Sequence, residues 1–263
     1  MRPAPRYYRL MAPRTACFLV IGNEILSGRT QDANIRVLAQ ALNGRGIRLL
    51  EVRVIPDIPE HIITTINDCR ARFDLLFTSG GIGPTHDDIT AACVAEAFGV
   101  PLTCHEESFH QLEALFPAGE FNKARQRMAW LPKGATPIEN RVSTAPGFSL
   151  GNVHVMAGVP RIFQAMVGWL MPRLEGGAPL TSASWYSYNV YEGDLAEALT
   201  AIQHDFPTLD IGSYPFDEGQ KRGVALVAKG YDAEAVTLAG AALRTLLASL
   251  GFTPLEGDPP RGA

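Results

Sequence analysis

Thr78-Ser-Gly-Gly-Ile-Gly-Pro-Thr-His-Asp-Asp88 is the stretch on which the fold turns. It follows Phe73-Asp-Leu-Leu-Phe-Thr-Ser79, a continuous apolar run that reads as a strand covered on both faces. Asp-Asp-Ile-Thr-Ala-Ala-Cys-Val-Ala-Glu-Ala-Phe98 comes next and reads as a helix closed by Gly99. A strand joined to a helix through a short glycine-rich turn is the unit from which parallel α/β sheets are built.

The same rhythm extends in both directions. Upstream, Ala16–Gly22 is a strand, Ile35, Leu38, Ala39 and Leu42 recur at helical spacing, Ile47–Ile55 is a second strand, and a helix spans Pro59 to Arg72. Downstream, a helix near Glu106–Phe116 leads into an irregular Pro- and Gly-containing segment, Pro117–Gly151. A strand at Asn152–Gly158 and a helix opened by Pro160 and ending near Leu174 follow. Glu-Gly-Gly-Ala-Pro-Leu-Thr-Ser, residues 175–182, reads as a linker.

Beyond the linker, strands at Trp185–Gly193, Thr208–Phe216 and Gly223–Gly230 alternate with helices at Asp194–Gln203 and Ala233–Leu250, with a last strand at Phe252–Leu255. That order fits a small ferredoxin-like α+β domain. The expected organisation is a leader at 1–15, an α/β domain at 16–175, an α+β domain at 182–256 and a tail at 257–263, both ends disordered.

Composition narrows the function. With 23 basic and 27 acidic residues the chain carries a net charge of −4, which gives no global field for nucleic acid or an anionic membrane. The four cysteines, Cys17, Cys69, Cys93 and Cys104, form no disulfide or zinc pattern. With no apolar signal core and no membrane-length apolar stretch, a cytoplasmic protein is expected.

Any phosphate must therefore be held by local geometry. The glycines of the Thr78–Asp88 loop let a phosphate approach the backbone, and the helix start adds partial positive charge. The same residues also suit a tight turn whose Asp87 and Asp88 cap the helix. The loop is neither a Walker-type loop nor a dinucleotide fingerprint, because the lysine of the first and the third spaced glycine of the second are missing.

Gly80-Gly-Ile-Gly-Pro-Thr-His-Asp-Asp-Ile-Thr90 resembles a signature of the MoaB/Mog molybdopterin-binding domains, in the form found in CinA-type proteins. Gly22-Asn-Glu-Ile-Leu-Ser-Gly28, Thr30-Gln-Asp-Ala-Asn34, the Asn122–Ala135 block, Ser143-Thr-Ala-Pro-Gly-Phe148 and Gly158-Val-Pro160 agree in order. The resemblance covers Ala16–Leu174 and extends to the N-terminal domain of eukaryotic FAD synthases.

It implies a three-layer α/β/α domain with a pterin (molybdopterin-like) or nucleotide phosphoanhydride ligand over the strand ends. It also implies functional carboxylates at Asp57 and Asp88 and a homo-oligomer. Many relatives carry Asp where this chain has Asn23, so Glu24 is weighed in its place. Mg2+ or another divalent ion would suit Asp57, Asp87 and Asp88 as hard oxygen ligands. Asp57 also reads as a turn residue, and Ser27 and Glu24 as helix-cap residues.

The expected ligand contacts are Gly22, Glu24, Ser27, Gly80, Gly81, Gly83, Thr85, Ser143, Thr144, Gly147, Gly158 and Pro160. A metal-dependent pyrophosphohydrolase acting on ADP-ribose or FAD-like molecules is the expected activity. A non-catalytic binding module and a step of molybdenum-cofactor assembly are the alternatives. Asn34 reads as an ordinary helix-surface residue, Cys93 as a core thiol, and the aromatics at 185, 186, 188 and 191 as sheet packing.

Overall fold

The computed structural model describes residues 13–217, 219 and 222–259, and the chain separates into two compact units, residues 1–177 and 178–263. In the first unit six strands form one sheet in the order β2-β1-β3-β8-β7-β6. They are β1 Arg14–Ile21, β2 Ile47–Ile55, β3 Leu75–Ser79, β6 Thr136–Ile138, β7 Gly147–Leu150 and β8 Val153–Met156. The β2, β1, β3 and β8 strands run parallel, while β7 and β6 close the edge as an antiparallel hairpin pair.

Alternation along the central strands sends side chains to two cores. Ala16, Phe18, Val20 and Phe77 face helices α2 (Asn34–Gly44) and α7 (Pro160–Leu170) through Leu38, Leu42, Phe163 and Met166. Cys17, Leu19, Ile21 and Leu76 face α3 (Pro59–Arg72) and α4 (Thr90–Phe98) through Ile62, Ile66, Cys93 and Val94. The result is a three-layer α/β/α unit. Phe18 and Phe163, both fully buried with rings 5.6 Å apart, anchor one layer, and truncating either costs about 3–5 kcal/mol.

The segment read as irregular contains more order than its composition suggests. It holds β5 (Trp130–Pro132), β6, β7 and the helical turn α6 (Lys123–Gln126), and β5 pairs with β4 (Leu102–Cys104). The preceding helix α5 is shorter than expected, Glu106–Glu113, and the His105 ring caps it by accepting the Ser108 N–H. The Asn23–Leu26 turn is α1.

In the second unit β9 (Thr181–Tyr188), β10 (Asp210–Asp217), β11 (Arg222–Gly230) and β12 (Leu255–Glu256) form an antiparallel sheet in the order β10-β11-β9-β12. With α8 (Glu192–Asp205) and α9 (Ala233–Ser249) this is the ferredoxin-like arrangement. Trp185 packs against the helical core, whereas Tyr186, Tyr188 and Phe216 meet edge to face, and Tyr191 is exposed.

Residues 1–12 of the expected leader lie outside the described residues, but Arg14 and Thr15 belong to β1, paired with Ile47 and Arg48. Residues 260–263 of the expected tail also lie outside, while Gly257 is tied to β9 by a 2.9 Å bond to the Ser184 carbonyl. Among the described residues no helix is long and apolar enough to cross a membrane.

Candidate functional site

The parallel register ends β1, β2, β3 and β8 on one edge, where Val20 pairs with Ser79, Ile21 with Ile55, and Ser79 with Met156. The loops leaving those ends must converge there, and such a crevice is where parallel sheets bind ligands. They enclose a cleft of about 520 Å3. Glu24, Asp57, Gly80, Gly81, Gly83, Asp87, Asp88, Ser143, Gly158 and Pro160 all line it.

Two glycines make the loop after β3 possible. Gly80 has φ 109° and a Cβ there would stand 2.1 Å from the Ile21 carbonyl oxygen; Gly81 has φ 66° and its Cβ would strike Thr90 Oγ1 at 2.2 Å. The loop is pinned at its root. Gly80 donates to the Met156 carbonyl at 3.1 Å, Thr90 Oγ1 donates to the Gly80 carbonyl at 3.0 Å, and the Thr90 N–H donates to the Gly81 carbonyl at 2.9 Å. At its tip the N–H groups of Gly81, Ile82 and Gly83 find no acceptor among the described residues. Three successive uncommitted N–H groups on partly exposed cleft residues suit an anion.

Asp88 does not cap α4, which the sequence had left open. The helix begins at Thr90 with Ile89 at its cap position and no side-chain bond there. Asp88 Oδ2 instead accepts the Thr85 N–H at 2.8 Å and the Thr85 hydroxyl at 2.5 Å, closing the loop upon itself. The shared Thr85 hydroxyl also keeps the exposed Asp87 carboxyl below the ordinary carboxylate range, with smaller help from the Asp87 backbone N–H and His86. Asp57 Oδ2 accepts the Asn23 N–H at 2.8 Å and so ties the loop after β2 to α1.

Several expected contacts serve the scaffold rather than the cleft lining. Gly22 is buried, its N–H bonded to the Ile55 carbonyl, and a Cβ there would meet the Glu24 carboxylate at 2.6 Å. Ser27 is exposed and its hydroxyl donates to the Glu24 carbonyl. Thr85 acts through Asp88. Gly147 lies within β7, where a Cβ would stand 2.4 Å from the Val155 carbonyl oxygen. Thr144, at φ 61°, lines a separate recess with His105 and Asn140, while Ser143 is held by Asn140 Oδ1.

The electrostatics are one-sided. Glu24, Asp57, Asp87 and Asp88 line the cleft and among the described residues no Lys or Arg lines it, while the Arg127 guanidinium sits behind the loop on the Thr85 and Asp88 carbonyls at 3.3 Å. Among the described residues no three His, Cys, Asp or Glu side chains form a ready metal cage, so Asp57, Asp87 and Asp88 are not a preassembled ligand set. Asp57 and Asp88 each engage a single oxygen, Oδ2, in protein hydrogen bonds.

Asn34 is the residue that sequence reasoning missed. It is 3% exposed, and its Nδ2 donates to Ser79 Oγ at 3.0 Å and to the Gly158 carbonyl at 2.8 Å, joining the ends of β3 and β8 beneath the cleft. Its Oδ1 is buried with no hydrogen-bond partner among the described residues. The Asp32 carboxylate, which accepts the Ile35 N–H at 2.8 Å, fixes the start of the same helix. Cys93 is a core thiol, which burial pushes up to about 11.

Residues 17–176 match the family described as "Probable molybdopterin binding domain", and residues 182–255 match "FAD synthase, middle domain". The chain is 33% identical over 229 residues to a protein of Pyrococcus furiosus, covering 81% of this chain and 90% of that one. It is 37% identical over 176 residues to a CinA-like protein of Desulfosudis oleivorans, of which it spans 43%. The crystal structure of CinA from Thermoplasma acidophilum superposes with a TM-score of 0.58 at 30% identity, covering 61% of this chain and 97% of that one.

Proposed function

We propose that this chain, which belongs to the family of molybdopterin-binding domains in its CinA-type form, binds a pterin or nucleotide phosphoanhydride in the cleft at the strand ends and hydrolyses it with a divalent metal. The observation that carries the reading is the pairing of free N–H donors with carboxylates that each keep one oxygen out of protein hydrogen bonds at Asp57 and Asp88. Among the described residues, Gly81, Ile82 and Gly83 offer uncommitted N–H groups to phosphate oxygens, beside four carboxylates and no lining Lys or Arg. A phosphoanhydride brought against that much negative charge needs a cation between the two.

The donor set fits Mg2+ or a similar hard ion, which is commonly held by one or two carboxylates and completed by phosphate oxygens and water. Asp57 and Asp88 are the residues assigned to hold it, with Asp87 at the rim. When bound, the ion would neutralise charge on the phosphates and polarise the phosphorus–oxygen bonds. The chain's own part is to fix the anhydride along the glycine loop and to keep Asp57 and Asp88 in place through Asn23 and Thr85. Hydrolysis then adds one water across a P–O–P bond: its oxygen joins one phosphorus and the bridging oxygen leaves on the other, giving two phosphate monoesters.

The test is incubation of the full chain with ADP-ribose and FAD, with Mg2+, Mn2+ or Co2+ and with chelator. Mononucleotide released only with metal supports the reading. Metal-dependent binding without release would leave a binding module and remove the hydrolase. Homo-oligomer formation belongs to the same proposal and is read by light scattering.

A further inference from the structure

β2 forms one edge of the first unit's sheet, and its outer rim is open. The Ile55 carbonyl accepts the Gly22 N–H on the β1 side, so alternation turns the N–H and carbonyl groups of Val52 and Val54 away from β1. Among the described residues no other segment bonds to those groups. Leu50, Val52 and Val54 are 48%, 37% and 38% exposed along the same stretch. Sheet edges are normally blunted by shortness, proline or lysine. The opposite edge follows that rule, since β6 is three residues long and contains Pro137. β2 is nine residues long and has neither proline nor lysine.

We propose that β2 pairs with the β2 of a second copy of this chain, antiparallel about a twofold axis at Val52, so that two sheets become one. The inference rests on the homo-oligomer reading and is independent of what the cleft binds. Its first argument is charge. The register from Cys17 with Glu51 to Ile21 with Ile55 puts Glu51 and Arg53 on the α3 face of the sheet, and Val52 and Val54 on the α2 face. Residues directly opposite in an antiparallel pair must share a face, so the axis passes through a residue position. At Val52 it sets Glu51 of each strand against Arg53 of the other, Leu50 against Val54, and Val52 against itself. Moved one residue, to Glu51 or to Arg53, it sets like charges face to face, which is destabilising.

The second argument is that the charges at this edge balance. Glu51 and Arg53 are ion-paired with each other, Arg53 meets Asp68 at 2.7 Å, and Arg72 meets Asp68 at 3.1 Å and Glu51 at 3.2 Å. Two acidic and two basic side chains give the cluster no net charge, so a second copy of it is not repelled. A guard against strand pairing would carry charge of one sign. On the other face Val52 and Val54 offer a short apolar strip, and the twofold axis lays it against itself, so that each contact occurs twice, as in an isologous interface. Because the strands run antiparallel, their Pro56–Asp57 ends point in opposite directions, and each cleft stays complete within its own copy.

Light scattering on the full chain at about 50 µM, within the range of weak dimers, is expected to give twice the mass of one chain. Val52→Lys, which sets two ammonium groups together on the axis, is expected to give a monomer with an unchanged far-UV circular dichroism spectrum. Disulfide trapping locates the axis without relying on that variant. In a Cys104→Ser background, which removes the exposed native thiol, Val52→Cys should cross-link to its own copy under copper–phenanthroline oxidation. Hydrogen-bonded antiparallel partners stand about 5.5 Å apart at Cα, within disulfide reach. Val54→Cys should not cross-link, because its two copies stand about 14 Å apart along the paired strands. A wild-type monomer overturns the inference and removes the homo-oligomer with it. An oligomer that survives Val52→Lys, or that gives no cross-link through position 52, keeps the homo-oligomer and overturns β2 as its surface. Cross-linking through position 54 in place of 52 contradicts the charge-matched register.

Discussion

The side-chain amide of Asn34 donates a 2.8 Å hydrogen bond to the backbone carbonyl of Gly158, 124 residues away, and so fastens the helix that follows β1 to the loop that follows β8. The same amide reaches Ser79 at the base of the glycine loop. Because a carbonyl can only accept, the nitrogen of Asn34 must face Gly158. Asn34 and Ser79 are buried, so removing the amide takes the donor from Ser79 Oγ and from the Gly158 carbonyl together. Asn34→Leu should therefore destabilise the protein by about 1–3 kcal/mol. It should also loosen the cleft, read as a weakened affinity for pyrophosphate with Mg2+. An unchanged melting temperature and unchanged affinity would show that the loops are positioned without it.

A pH dependence follows from His154, which lies in the sheet with its ring against Phe77 and Nδ1 bonded to Ser149. Its Nε2 is buried with no hydrogen-bond partner among the described residues, and burial, with a smaller contribution from Arg14, pushes its pKa down to about 4. The unfolded chain takes up that proton near 6.5, so between the two values the unfolded state binds more protons. Stability is then lost as pH falls from about 6.5 towards 4, by up to about 3 kcal/mol from this residue. Carboxylates titrate in the same window, so the difference between wild type and His154→Phe isolates it. The variant should lose less stability on acidification, and parallel curves would contradict the assignment.

The boundary between the units gives a third expectation. Gly177 donates to the Arg45 carbonyl at 2.8 Å, Arg45 donates to the Leu174 carbonyl, and a Cβ on Gly176 would collide with the Arg45 carbonyl. The chain is thus anchored to the first unit through Gly177, beyond the end of α7. Limited proteolysis should cut within residues 178–180 and leave a stable fragment ending there. Cleavage first within residues 80–88, or no stable fragment, would argue against two independent units.

Much of this architecture was legible from residue order because the central strands carry strong signals. The apolar runs of β1 and β3, the glycines between β3 and α4, and Pro160 at the start of α7 each imply one local geometry. What escaped reading lies where local signals conflict with distant ones. The strands β5, β6 and β7 are three or four residues long within a Pro- and Gly-containing segment, and only pairing with neighbours holds them extended. A cavity of about 310 Å3 against the glycine loop was hidden for the same reason, since Arg127, Met128 and Trp130 of its lining come from that segment. Asn34 looked like a surface residue because a polar side chain at a helix start is usually solvated, and only the return of β8 buries it. By spacing Asp88 could cap α4 or serve the site, and residue order left both open; α4 starts two residues later and Thr85 takes the carboxylate, which removes the cap.

The central claim is that Asp88 holds a divalent ion against a phosphoanhydride in this cleft. Its structural bonds to Thr85 can survive replacement by Asn, whose carbonyl oxygen still accepts both hydrogen bonds, while the negative charge that a hard cation requires is lost. The deciding measurement is Mg2+-dependent ADP-ribose binding and turnover in Asp88→Asn, alongside its melting temperature. The account predicts an essentially unchanged melting temperature with binding or turnover reduced at least about tenfold, equivalent to about 1.4 kcal/mol. Full binding and full turnover in a well-folded Asp88→Asn protein would contradict it and leave the glycine loop as a turn.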